Sequence, residues 1–473
     1  MRIKYSPLPD TSQPDEHDQA ESSTTMQRLY SRSDDGGETA SPSSAPKNAI
    51  VTTEEHNLSV DTPAPAFQLY RTRFLGLAQL VLLNLIVSWD WLTFAPLSTT
   101  ASIYFSRPVS SINWLSTAFL FAFLPVAPIV LWVLNRHGPK TSILVASALV
   151  LVGNWIRYAG TRSVNFPVVM MGQVLIGFAQ PFVLAAPTRY SALWFSDSGR
   201  VTATAIASLA NPLGGALGQL VGPLWASEDP HSMPKLVLYT SILSTIAALP
   251  APLIPSSPRT PPSALAAEPR LELREAMARL PGIRAFWLLV IPFSVYVGAF
   301  NSTSSLLNQI LAPHAFSELD AGIAGGLLIL VGLIASAMIS PIVDKTHSHL
   351  LVIKLLVPLI AAAYIVLRFL PPTRSVPAVY TICAVLGATS FSLLPAALEY
   401  LVLVTHPVSA EVTSVIGWSG GQLLGAILIV VMNAMQSAGA DMTKALVLQA
   451  VVCAIVVPLP LMLGVRRFGL GLR

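Results

Sequence analysis

Twelve apolar runs, each long enough to cross a lipid bilayer, follow one another from Phe74 to near the end of the chain, and no other feature restricts the fold as much. A helix rises about 1.5 Å per residue, so about 20 residues cover the hydrocarbon core. The runs begin near Phe74, Ile112, Thr141, Phe166, Val201, Leu236, Ala285, Ala321, Leu351, Val376, Val412 and Thr443. Inside lipid every backbone N–H and C=O must find its partner within the protein, which leaves helices for runs of this length. Only 11% of the residues are charged, against about 25% in a soluble domain. The sequence is therefore read as an all-α integral membrane protein of twelve transmembrane helices.

Residues 1 to about 70 are a different material, with eleven acidic against five basic residues, much Ser, Thr and Pro, and few large apolar side chains. Such a segment buries too little apolar surface to offset the entropy of ordering it, and it is read as a disordered tail. It lacks the basic start and apolar core of a signal peptide. The one long polar interruption, SSPRTPPSALAAEPRLELREAMARLPG at 256–282, falls between the sixth and seventh runs. The expected organisation is a cytoplasmic tail over 1–70, a six-helix bundle over 71–255, a linker over 256–283 with a short surface helix at LELREAMARL, a second six-helix bundle over 284–466, and a cytoplasmic tail over 467–473. With the amino terminus inside, sixteen Lys and Arg of the membrane part fall on the inner side and seven on the outer. The positive-inside rule reads this as both termini cytoplasmic. The plasma membrane is expected ahead of a vacuolar or other internal membrane.

Two local matches relate the halves. NRHGPKTSIL (135–144) after the second run resembles DKTHSHLLVI (344–353) after the eighth, and GGALGQLVG (214–222) in the fifth resembles WSGGQLLG (418–425) in the eleventh, at nearly the same offset. Twelve spans in two six-helix pseudo-repeats joined by a polar loop is the arrangement of the major facilitator superfamily of secondary transporters. Gly214, Gly218 and Gly222, like Gly417, Gly421 and Gly425, recur every fourth residue, so each set lines one helix face and admits a close neighbour. Arg136, Lys140 and Asp344 in the matched loops are gating or coupling candidates. Asn135 stands where the superfamily's loop motif usually has Asp, and ordinary positive-inside charge explains Arg136 and Lys140 equally well.

Several chemistries are disfavoured. No G-x-x-x-x-G-K-[ST] phosphate loop occurs, so solute movement would be facilitated or gradient-coupled, with protons as a candidate coupling ion. The eight histidines fall in the tail or in loops, against a buried histidine-ligated haem. Cys383 and Cys453 lie in apolar stretches without a disulfide or zinc pattern. GWSGG (417–421) fits a hydrolase nucleophile elbow, but that motif needs a strand, a turn and a soluble sheet. No nucleophile, base and orienting group share a helix face, so an enzyme is not expected. Nor is a cofactor or a nucleic-acid partner; the expected partners are the lipid bilayer and a small-molecule substrate, and a monomer is expected.

Polar residues at mid-depth are the informative set. Counted at about 1.5 Å per residue, Asp90, Gln180, Asn301 and Gln422 fall in one band across the first, fourth, seventh and eleventh runs, where transporters of this type place substrate. Each amide alone is as well explained as interhelical glue. Glu399 lies nearer the inner end of the tenth run.

The stretches DWLTFAPL (90–97), INWLSTAFLFAFLP (112–125), GQVLIGFAQPFVLAAPTRYSALWF (172–195), ANPLG (210–214), GAFNSTSSLLNQIL (298–311), PIVDKT (341–346) and LEYLVLVTHPVSAEVTS (398–414) resemble solute carrier family 49. This is the feline leukaemia virus subgroup C receptor-related family of the major facilitator superfamily. DWLTFAPL and ANPLG look closest to its major facilitator superfamily domain-containing protein 7 type. The resemblance implies transport of choline or ethanolamine, with haem export a disputed alternative. It implies an aromatic cage whose tryptophan matches Trp91 and whose tyrosine matches Asn301, glutamines matching Gln180 and Gln422, and a glutamate matching Glu399. Where the family has Gln before the tryptophan, this chain has Asp90.

Asn84, Ser88, Trp91, Ala95 and Ser98 follow helical spacing and form one small and polar stripe, expected to face a cavity. A residue is turned about 100° from its neighbour, which sets Asp90 on the shoulder of that cavity. Three roles compete for this carboxylate: counter-charge to a cation held on the face of Trp91, proton carrier, or partner of Arg157 at similar depth. The resemblance weighs against the third, since the family keeps a basic residue there with a neutral residue at position 90. The expected function is alternating-access transport of a small organic cation or amine, with Trp91, Asp90, Gln180, Asn301 and Gln422 as substrate contacts and Glu399 as an inner gate. A haem or other organic-anion exporter, and a non-transporting membrane receptor or nutrient sensor, are the alternatives.

Overall fold

The computed structural model describes residues 68–464 apart from 227–228, 261 and 263–272. The tail segments at 1–67 and 467–473 and the start of LELREAMARL lie outside the described residues.

Helices occupy the twelve runs, each starting within four residues of its expected position. Spans one to six are Arg73–Leu92, Val109–Arg136, Gly138–Arg162, Phe166–Trp194, Asp197–Ala226 and Met233–Ala248; spans seven to twelve are Arg284–Leu311, Glu318–Thr346, His349–Leu367, Val376–Thr405, Ala410–Ala434 and Thr443–Ile455. We call the membrane side on which Arg73 lies the near face and the other the far face. Among the described residues eleven helices are long and apolar enough to cross a membrane, and span five is the one of the twelve that is not. Its length of 30 residues suffices, but it is rich in Ala, Ser, Thr and Gly because protein flanks it on two sides. A Cβ at Gly214 would lie 1.8 Å from the Leu85 carbonyl oxygen of span one, and one at Gly322 of span eight would lie 2.5 Å from the Gln219 carbonyl oxygen of span five.

The glycine ladders are a packing device used twice. Gly214 and Gly218 meet the backbone of span one at Leu85 and Trp89, while Gly417, Gly421 and Gly425 meet Phe293, Val297 and Asn301 of span seven. Span five therefore sits on span one as span eleven sits on span seven, and the sequence match between the ladders is a match of interfaces.

Span one breaks inside the membrane part and resumes as the short helix Ser98–Phe105. Pro96 has no N–H and its ring conflicts with the carbonyl four residues back, so the helix stops at Leu92 and the carbonyl of Asp90 is left without a helical partner. In the linker a helix forms at Leu273–Arg279, burying Ala276 and, just beyond it, Leu280. Met277 of this helix is exposed.

Candidate functional site

The structure turns Asp90 away from the stripe and into the interior of the first six helices. Its carboxylate meets a guanidinium there: Arg157 Nη2 of span three donates to Asp90 Oδ1 at 2.6 Å, with both side chains fully buried. Asn154 Nδ2 and Ser244 Oγ donate to Oδ2 at 2.6 and 3.3 Å. The carbonyl freed by the Pro96 break accepts from Arg157 Nη1 at 3.0 Å and from Gln173 Nε2 at 3.2 Å. Arg157 also donates to Gln173 Oε1 and Asn154 Oδ1. One buried pair thus joins spans one, three, four and six. Of the three roles weighed for Asp90, this arrangement matches the pairing with Arg157. The spacing gave its rotation relative to Trp91 but not which helices lay beyond it, and the partner is the Arg157 that residue depth had already suggested.

The five residues of the stripe itself are buried as well. Asn84 Nδ2 donates to the carbonyls of Leu80 and Val183, and Asn211 Nδ2 of span five donates to the Asn84 carbonyl at 3.3 Å and to Gln180 Oε1 at 3.4 Å. Asn84, Gln180 and Asn211 are therefore one polar cluster of the first half. Trp91 stacks on Phe119 of span two, ring centroids 6.2 Å apart at 18°. In the second half Asn301 Nδ2 donates to Gln422 Oε1 at 3.2 Å. Gly425 makes room for this pair: a Cβ there would lie 2.9 Å from the Asn301 Cβ and 3.3 Å from Leu120 of span two. Since Leu120 follows Phe119, span two links the tryptophan of one half to the amide pair of the other. The Trp91 indole N–H and Asn84 Oδ1 are buried without a partner among the described residues.

The gating candidates are not brought into this set. Glu399 and Arg136 are exposed and Lys140 is half-buried; the side chain of Asp344 lies outside the described residues.

A contact that the sequence did not single out closes the far face between the halves. Glu318, first residue of span eight, accepts from the Thr100 backbone N–H at 2.9 Å and from Thr100 Oγ1 at 2.6 Å. Asn308 of span seven donates to Ser98 Oγ at 2.9 Å and Thr99 Oγ1 at 3.1 Å. Beside it Asn113 of span two donates to Gln309 of span seven and, at 3.0 Å, to Asn433 Oδ1 of span eleven. Polar residues near helix ends are ordinary, so nothing in the sequence set these apart; only the approach of distant segments does.

The family model described as Major Facilitator Superfamily matches residues 80–465. Solute carrier family 49 member A3 of Danio rerio is 33% identical over 397 residues, which cover 80% of this chain and 82% of that protein. Choline/ethanolamine transporter flvcr2a of Danio rerio is 28% identical over 382 residues, 78% of this chain and 81% of that protein. Among solved structures, a bacterial homolog of the human lysosomal transporter Spinster superposes with a TM-score of 0.62 at 16% identity, covering 84% of this chain and 97% of the other. The last shows a shared fold.

Proposed function

Because the chain belongs to the Major Facilitator Superfamily and, within it, to solute carrier family 49, we propose that it moves a small organic cation or amine of the choline and ethanolamine type by rocking two helical bundles, residues 71–255 and 284–466, about a central site. One observation carries the substrate class: Trp91 stacks on Phe119 of span two, whose neighbour Leu120 lies beside Gly425 and the uncharged Asn301–Gln422 pair of the other half, and the buried Arg157 of the first half is neutralised by Asp90. An ammonium group gains about 0.5 to 2 kcal/mol from an indole face, and amide oxygens suit its N–H or a neighbouring hydroxyl. An exporter of haem or another organic anion calls for an uncommitted positive group at the centre, and Arg157 does not offer one. Trp91, Gln180, Asn301 and Gln422 are the proposed contacts, with Glu399, Arg136, Lys140 and Asp344 as candidates for movements at the near face. The excess of Lys and Arg supports a cytoplasmic near face.

Labelled choline and ethanolamine uptake into proteoliposomes tests this reading. Saturable uptake is expected, and Trp91→Ala should weaken apparent affinity about 2- to 30-fold, the equivalent of the cation–π energy. Deleting residues 1–66 should leave uptake intact. Folded protein that takes up neither amine rejects the substrate class, and a tail deletion that silences the protein favours a receptor or sensor.

A further inference from the structure

The far-face contact borders an open cavity of about 300 Å³, lined by Thr99, Thr100 and Ile103 of the first half and Asn308, Phe316 and Glu318 of the second, with Pro230 and Ala312 completing it. We propose that this cavity is a second binding site, for a small organic ammonium ion arriving from the far side, distinct from the central site and independent of whether the central site transports an amine.

Three features support this. First, Glu318 is committed to hydrogen bonds but not to a counter-ion. Its oxygens accept from the Thr100 N–H and hydroxyl and, at 3.5 Å, from the Asn308 amide. No ion pair joins it among the described residues. Neutral donors and the amino end of span eight stabilise a carboxylate without cancelling its field. The capping of span eight is done by others, since Ser317 and Asp320 form its capping box. That leaves Glu318 free to reach across to the other half.

Second, the remaining lining suits an alkylated cation. Ile103, Pro230, Ala312 and Phe316 provide apolar surface, and an aromatic ring near an ammonium adds attraction. A hard metal ion would need six or more oxygens gathered at about 2.3 to 2.6 Å, and the Glu318 oxygens are already occupied by hydrogen bonds. An ammonium of larger radius needs proximity to the charge, not a free lone pair. Third, Asp229 precedes Pro230 in the lining and is exposed; hydrogen bonding from Ser232 holds its carboxyl below the usual range, so it stays anionic near the mouth.

A ligand here touches both halves, so it binds best while the far face is shut and should stabilise that state. Occupancy from outside would then oppose opening of the same face.

The test is calorimetric titration of tetramethylammonium chloride into the purified full chain, with sodium chloride matched in ionic strength. Trp91→Ala, or Gln422→Ala should the first not fold, weakens the central site, so a component whose affinity that change leaves unaltered is not the central one. A saturable component is expected to survive in that background and to weaken at least tenfold on adding Glu318→Gln or, where that variant does not fold, Ala312→Phe, which fills the cavity. The proposal is overturned when central-site variants lose all binding, when the component keeps its affinity in folded Glu318→Gln or Ala312→Phe protein, or when sodium competes as well as tetramethylammonium. Uptake plays no part in this readout, so failure of the transport reading would leave it standing.

Discussion

Asp90→Asn should cost the protein its fold before it costs transport. Asparagine keeps the size and one acceptor but leaves the Arg157 guanidinium fully buried without a counter-charge. Breaking one side of such a pair costs about 3 to 5 kcal/mol. The variant should lose most of its monodisperse fraction in detergent and melt far below the parent. Asp90→Leu with Arg157→Met removes both charges together and should recover much of that stability, because a matched apolar pair avoids the desolvation cost of two ions. Recovery would remain incomplete, as Asn154, Gln173 and Ser244 lose partners in the exchange. An Asp90→Asn protein that folds and melts normally, yet no longer transports, would reject the structural role and restore Asp90 as a substrate or proton contact.

The same residue shows how far the sequence reached. Helical spacing separated Asp90 from the Trp91 stripe by a rotation, and that rotation holds. Spacing within one helix, however, says nothing about which neighbour occupies each side. The direction of Asp90 depended on where spans three and six pack against span one, a fact of tertiary arrangement. Depth counting did bring Arg157 level with Asp90, because rise per residue is a local property shared by all helices. The glycine ladders were legible for a similar reason: a four-residue period is visible in the chain, and close packing is its physical consequence. The amides of Asn301 and Gln422 were legible as a set of polar residues at one depth, but their hydrogen bond was not. Least legible was the far-face contact. Thr100 and Glu318 lie in different halves, each an ordinary polar residue beside a helix end, and their meeting follows from how the two bundles lean together.

Within one ladder the structure separates glycines that the sequence treats alike. Gly214→Ala would set a methyl 1.8 Å from the Leu85 carbonyl oxygen, a backbone atom that moves only if span one moves. At Gly222 the nearest atoms to an added methyl are Leu97 Cδ1 at 3.5 Å and the Thr93 carbonyl oxygen at 3.6 Å, ordinary contacts. Overpacking costs about 1 to 3 kcal/mol where side chains can adjust, so Gly214→Ala should lie at or above the top of that range. Gly222→Ala should be neutral or stabilising by up to about 1 kcal/mol, since alanine favours a helix and gives up less chain entropy on folding. The larger effect extends to function. Leu85 follows Asn84, and Asn211 stands one helical turn before Gly214, so separating the two helices there pulls apart the hydrogen bonds from Asn211 to Asn84 and Gln180. Surviving Gly214→Ala protein should therefore take up less substrate per folded molecule, while Gly222→Ala keeps the parent rate. Melting curves together with uptake normalised to folded protein measure both. Equal behaviour of the two variants would mean that span five does not rest on span one through Gly214, and with that the proposed polar cluster of the first half would lose its support.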